Sequence, residues 1–75
     1  MELVVVWIET LTGAIYRMPD VPPGHLSRLR EQLRMRTETV VVPNVSEAAL
    51  SIPLRIIKEV GIVGQQTIWS KPDQG

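Results

Sequence analysis

Arginine is the residue whose spacing in this sequence comes closest to a binding pattern. Arg30 and Arg34 stand four positions apart, so their side chains become neighbours on consecutive turns if this segment is helical. The planar guanidinium group matches carboxylate and phosphate through paired donors. If a ligand or partner is anionic, we therefore predict that it contacts Arg30 and Arg34, with Arg55 or Arg17 as a further donor from the sheet.

A structural role for these arginines is the alternative. Arg30 and Arg34 could form ion pairs with Glu38 or Glu59 of the same or a neighbouring chain. The arginines at positions 28, 30, 34 and 36 are spread around the helix axis instead of lining one side. A helix that reads nucleic acid needs its contacting side chains on one side. We therefore expect a solvated helix surface with intrahelical pairs, and no nucleic-acid partner.

Two apolar residues are further candidates for binding a partner. Met35 points away from the leucines of its segment, so either the helix ends before Met35 or a partner buries it. Trp69 stands near the end of the chain and is expected either at an interface or as a lid over the core. The predicted ligand- or partner-binding residues are thus Arg30, Arg34, Met35, Arg55 and Trp69.

No catalytic or metal-binding motif is recognisable. Ser27 lies about 200° around a helix from His25, so the two do not form a nucleophile–base pair, and His25 is expected at the surface or as a helix cap. Gly61 and Gly64 lack the strand–glycine–helix context of a phosphate-binding loop and are expected in a strand and a turn. The glutamates are dispersed and cysteine is absent. We expect a non-enzymatic protein without cofactor or metal ion.

The composition sets the scale of the protein. Seventy-five residues suffice for one domain, which we place at residues 1–71, with a flexible tail at 72–75. Eight basic residues balance eight acidic ones, so no net charge attracts the chain to nucleic acid or lipid.

The apolar run Leu3–Ile8 is far shorter than the ~20 residues of a membrane helix. We expect a cytoplasmic protein, and treat the glycosylation pattern at Asn44–Ser46 as a chance match.

The hydrophobic pattern predicts an α+β domain with a mostly antiparallel sheet and the order β-β-α-β-β-β-β. Leu26, Leu29 and Leu33 form a stripe that packs the one helix on one face of the sheet. The prolines after Met18 are expected to end the second strand, and Asp20 to cap the helix. The predicted helix is His25–Arg36, and the predicted strands are Leu3–Ile8, Ala14–Met18, Thr39–Val42, Ala48–Ile52, Ile57–Val63 and Thr67–Trp69, with turns at 9–13, 43–46, 53–55 and 64–65.

The first strand is apolar on both faces. Residues 3, 5 and 7 share one face, where we expect Trp7 to be buried, and residues 4, 6 and 8 share the other. One short helix covers a single face, so the second face needs another cover. Either copies of the chain cover it, with Val4, Val6 and Ile8 as the predicted oligomer interface, or the sheet closes into a small barrel.

These features predict a non-enzymatic homo-oligomeric assembly or protein-interaction module. Two hypotheses from other classes stay open. One is a binder of a small anionic ligand, in a pocket at a subunit interface lined by arginines and tryptophan. The other is a nucleic-acid-associated regulator that presents the arginine-bearing helix. Small domains of this kind are common in phages and mobile elements, and we expect such an origin.

Overall fold

The computed structural model describes residues 2–43 and 48–72. The predicted α+β class and the order β-β-α-β-β-β-β are confirmed. A 3-10 helix at Leu54–Ile56, where a turn was predicted, joins the fourth strand to the fifth. The strands and the helix are β1 (Val4–Thr10), β2 (Ile15–Val21), α1 (Pro23–Met35), β3 (Thr39–Val42), β4 (Leu50–Pro53), β5 (Ile57–Ile62) and β6 (Thr67–Ser70).

The strands form two sheets. The larger sheet has the order β2-β1-β5-β6, the smaller one pairs β3 with β4, and every pairing is antiparallel. β2 and β6 are the outer strands of the larger sheet and do not pair with each other in the described part of the chain. The larger sheet is therefore open, and closure into a barrel does not cover its second face.

The β1–β2 hairpin follows from its turn residues. The Gly13 N–H donates to the Thr10 carbonyl over 3.0 Å, and the Thr10 N–H donates to the Ala14 carbonyl over 2.8 Å. Gly13 has φ +92°, the left-handed conformation that a three-residue hairpin loop needs at this position. The buried Thr10 hydroxyl lies 3.0 Å from the Thr12 hydroxyl and 3.3 Å from the Ala14 carbonyl. The turn, predicted at 9–13, lies at residues 11–13, because Glu9 and Thr10 still belong to β1.

The predicted end of β2 at Met18 is wrong, because the strand continues through Pro19 and Asp20 to Val21. Between the pairs Val4–Val21 and Val6–Met18, β2 contains one residue more than β1, which defines a β-bulge. Asp20 lies in this bulge with φ +59°. β2 is an edge strand, where the missing N–H of a proline is tolerated.

Helix α1 begins two residues earlier than predicted. Pro22 is the N-cap and makes no side-chain cap hydrogen bond, so the expected cap by Asp20 is wrong. Pro23 occupies the first helical position, where its fixed φ suits the helix and its missing N–H costs nothing. At the other end, Arg36 adopts the left-handed conformation and closes the helix.

The core lies between α1, the smaller sheet and one face of the larger sheet. The leucine stripe is confirmed, since Leu29 and Leu33 are buried and Leu26 packs beside them. Across the larger sheet, pairing places Val6 beside Met18 and Ile62, so these residues share the face that meets the helix. The remaining buried apolar side chains of the core are Ile8, Val21, Val40, Val42, Ile52, Ile57 and Val60.

Three predictions fall wholly or partly on residues outside the described ranges. They are the turn at 43–46, the glycosylation pattern at 44–46 and the tail at 72–75, of which Pro72 is described. The neighbouring strand, predicted from Ala48, begins at Leu50.

Candidate functional site

Arg34 is oriented by a carboxylate on its own helix. Its guanidinium donates to both carboxylate oxygens of Glu31, with 3.2 Å between Nε and Oε2. This hydrogen bond lowers the pKa of the Glu31 carboxyl group and raises the pKa of Arg34. The two side chains are neighbours on the helix surface because they stand three residues apart. Both are exposed, so the pair contributes little to stability.

The other predicted helix residues lie on separate surfaces. Arg30 lines a shallow cleft with residues 65–68, at the turn before β6. Met35 is the last residue of α1, with 62% of its surface exposed in a single chain. It lines an apolar groove with Val41 and Pro43, at the free edge of β3. Arg34 instead pairs with Glu31 at the exposed surface of α1.

Arg55 and Trp69, by contrast, are brought together. Both line a cleft of about 350 Å³, which we call the cationic cleft, and Arg36 and Lys71 line it with them. Its other lining residues are Thr37, Glu38, Thr39, Pro53, Leu54 and Pro72. Arg36 and Lys71 were not predicted as site residues, and no sequence spacing connects them to Arg55.

Three chain segments build the cationic cleft. They are the loop after α1, the 3-10 helix, and the end of β6 with the residues after it. The Leu54 N–H donates to the Glu38 carbonyl over 2.9 Å, which ties the first segment to the second. The Lys71 ammonium lies 3.5 Å from the Arg55 carbonyl, which connects the second to the third. One backbone hydrogen bond and one hydrogen bond from a lysine side chain thus connect the three segments.

The second notable surface is the face of the larger sheet opposite the core, which we call the outer face. The Trp7 ring lies on Gly61 of the neighbouring strand, and the ring and the strand bury this glycine. Around the ring, Ile15 is 59% exposed and Val63 is 51% exposed. Trp7, Glu9, Ile15, Arg17 and Val63 together line a hollow of about 270 Å³.

The two faces of β1 have roles different from those predicted. Val6 and Ile8 are 0% and 1% exposed in a single chain, so they have no surface to offer a partner and their assignment to an oligomer interface is corrected. Val4 is half-buried and packs against the same core. Trp7, expected in the core, is half-buried on the outer face. Alternation indicated two apolar faces, but it could not say which one the helix covers.

We next consider metal-binding and catalytic groups among the described residues. Among residues 2–43 and 48–72, no three His, Asp or Glu side chains come together as metal ligands would. His25 lies in the first turn of α1, and its Nδ1 atom is buried without a hydrogen-bond partner in the described structure. No helix of these residues is long and apolar enough to cross a membrane.

Comparison with known proteins finds no matching family model, no matching curated protein and no matching solved structure. The function must therefore be inferred from the surfaces of the chain itself.

Proposed function

We propose that this protein is a non-enzymatic assembly module whose copies associate through the outer face of the larger sheet. The observation that supports this most directly is the apolar cluster on that face, formed by the half-buried Trp7 with the exposed Ile15 and Val63. α1 packs on the opposite face, so the described chain offers no second layer for this one. Contiguous apolar surface of this kind is typical of an interaction site.

The charges of the outer face favour a second copy as the partner. Glu9 lies directly across from Glu59 in the β1–β5 pairing, and opposed like charges destabilise a sheet. The Ser70 hydroxyl donates to Glu59 over 3.4 Å, but neither glutamate has an ion pair within the described residues. Arg17, across from Trp7, brings a cation to this face. In a two-fold arrangement, where a patch contacts itself, Arg17 of each copy can approach the glutamates of the other.

The size of the domain supports the same proposal. A chain of 75 residues buries only about 60% of the surface of its unfolded form, which leaves a small margin of stability. With no cysteine in the chain, disulfide bonds cannot add to that margin. Burial of the outer face between two copies would add apolar contacts to a small core.

Assembly is tested by light scattering after size exclusion across micromolar concentrations. Wild-type protein should elute with at least twice the chain mass of 8.4 kDa. The double variant Ile15→Glu, Val63→Glu should elute as a folded monomer, because both side chains are exposed and four like charges would meet at the interface. Leu11→Glu with Met35→Glu is the matched control, since both are exposed apolar residues outside the outer face. A monomeric wild type, or an oligomer that survives the first double variant, would overturn the proposal.

The arginine-bearing helix supports nucleic-acid binding less well. Arg34 is paired with Glu31, Arg30 lies by the turn before β6, and Arg36 lines the cationic cleft. These cations do not form the single basic surface that a phosphate backbone requires.

A further inference from the structure

We propose that the cationic cleft binds a small organic phosphate, with the phosphate between Arg36, Arg55 and Lys71 and a flat apolar part against Trp69. None of the cleft residues belongs to the outer face. The inference therefore stands independently of assembly.

The charge balance of the cleft favours a dianion. Arg36, Arg55 and Lys71 contribute three positive charges, and Glu38 is the one acidic residue among the lining residues. Neither Arg36 nor Arg55 has an ion pair within residues 2–43 and 48–72. The excess of about two positive charges matches a phosphate monoester, which carries ≈ −1.5 to −2 at pH 7. Arginine forks bind such oxygens through paired donors, and lysine adds a point charge.

Arg36 is held in a conformation that glycine usually adopts. Its N–H donates to the Leu33 carbonyl over 3.3 Å, and the Thr37 N–H donates to the Gln32 carbonyl over 3.2 Å. These two bonds form a Schellman motif, whose left-handed position Arg36 occupies with φ +57°. Glycine takes this conformation without steric cost. An arginine here is strained, and the cation that it brings to the cleft is a functional reason for it.

Trp69 provides the surface for the remainder of the ligand. It is half-buried and packs against the core, so its ring is fixed while part of it lines the cleft. The Lys71 N–H donates to the Lys58 carbonyl over 2.8 Å, which holds the chain just beyond the ring. An indole offers a flat apolar surface and one N–H donor. A volume of about 350 Å³ lies at the lower end for ligand pockets and suits one small molecule.

The two tryptophans make the test self-controlled. In a ¹H–¹⁵N spectrum of the full chain, each indole N–H gives its own signal, one from Trp69 in the cleft and one from Trp7 on the outer face. Titration with adenosine monophosphate should shift the Trp69 signal and leave the Trp7 signal in place. Inorganic phosphate should bind more weakly because it lacks the flat part, and adenosine more weakly still because it lacks the charge.

Arg36→Gly separates binding from folding. Glycine suits the left-handed position, so the unfolding temperature should equal or exceed that of the wild type. The affinity for adenosine monophosphate should fall about tenfold, as expected when one charge-assisted contact is lost. Arg55→Gln should cause a similar loss. Arg30→Gln, which removes the same charge from α1 outside the cleft, should leave the affinity unchanged.

Four results would overturn the proposal. The first is a Trp69 signal that no phosphate compound moves. The second is a Trp7 signal that moves together with that of Trp69. The third is wild-type affinity in a folded Arg36→Gly variant. Equal losses in Arg36→Gly and Arg30→Gln would likewise contradict it, because they would show attraction by overall charge instead of a site.

Discussion

The contact between Trp7 and Gly61 is a steric requirement at the scale of single residues. A Cβ atom at position 61 would lie 2.7 Å from Nε1 of the Trp7 indole, and nearer still to two ring carbons. Glycine in a strand usually weakens it, and it often marks a close approach by another group. Here the approaching group is the aromatic ring at the centre of the outer face. A side chain at position 61 would therefore displace the Trp7 ring.

Gly61→Ala should lower the free energy of unfolding by about 1–3 kcal/mol, because the ring must leave its position on β5. Urea unfolding measures the change. Gly24→Ala is the matched control, since a Cβ at position 24 meets no atom within 4 Å and alanine favours the helix. If the loss comes from the ring, it should be smaller when Gly61→Ala is introduced into Trp7→Ala than into the wild type. Wild-type stability of Gly61→Ala would show that the ring does not lie on the strand.

At the scale of elements, Gln32 protects the free edge of β3. The Gln32 Nε2 group donates to the Val41 carbonyl over 2.9 Å, and the Val41 N–H donates to Gln32 Oε1 over 2.9 Å. The side-chain amide thereby pairs with Val41 as a residue of a neighbouring strand would. Unpaired strand edges attract other chains. This pair connects α1 to the smaller sheet and occupies the middle of that edge.

Gln32→Ala should speed hydrogen exchange at the Val41 amide about fivefold, because the loss of one hydrogen bond corresponds to ~1 kcal/mol. Exchange followed by NMR resolves the single amide. Amides of β1 should keep their wild-type exchange rates. In the control variant Gln65→Ala, in the turn before β6, the Val41 amide and the β1 amides should both exchange at their wild-type rates. Unchanged exchange at Val41 would mean that the amide pair contributes nothing to the protection of this edge.

Local chemistry explains which elements were predictable. Gly13 allows the hairpin turn, and the leucine stripe identifies the helix, since each signal lies within a few residues of the structure it forms. The pairing of β1 with β5 and the separation of β3 and β4 into a second sheet depend on contacts between distant segments. The end of β2 was predicted too early because Pro19 was expected to end the strand. A proline is acceptable there only because β2 lies at the sheet edge.

The residues of the cationic cleft were predictable only in part. Arg55 and Trp69 were identified from residue type, and the fold places them in one cleft. Arg36 and Lys71 were not predicted, because the cationic cleft forms where three segments distant in sequence meet. The contact of Arg30 and Arg34 with one anionic group stays a prediction, and the structure adds that Arg34 pairs with Glu31.

At the scale of the whole molecule, one small core must hold two sheets and a helix together. The helix covers the inner face of the larger sheet and contacts the smaller sheet, while the outer face keeps a half-buried tryptophan and two exposed aliphatic side chains. On the proposal of self-assembly, folding and association are coupled, because the folded chain presents the face that its partner needs. The apparent stability then depends on protein concentration.

The unfolding temperature of the wild type should therefore rise as protein concentration is raised, because unfolding separates the copies and mass action opposes separation. Scanning calorimetry over a wide concentration range measures this. The variant Ile15→Glu, Val63→Glu should unfold at the same temperature at every protein concentration, because it is already a monomer before it unfolds. The unfolding temperature of Leu11→Glu with Met35→Glu should rise with concentration as that of the wild type does. This control separates the loss of association from the general effect of added charge. A wild-type unfolding temperature that does not change with concentration would place the outer face in solvent and contradict assembly through it.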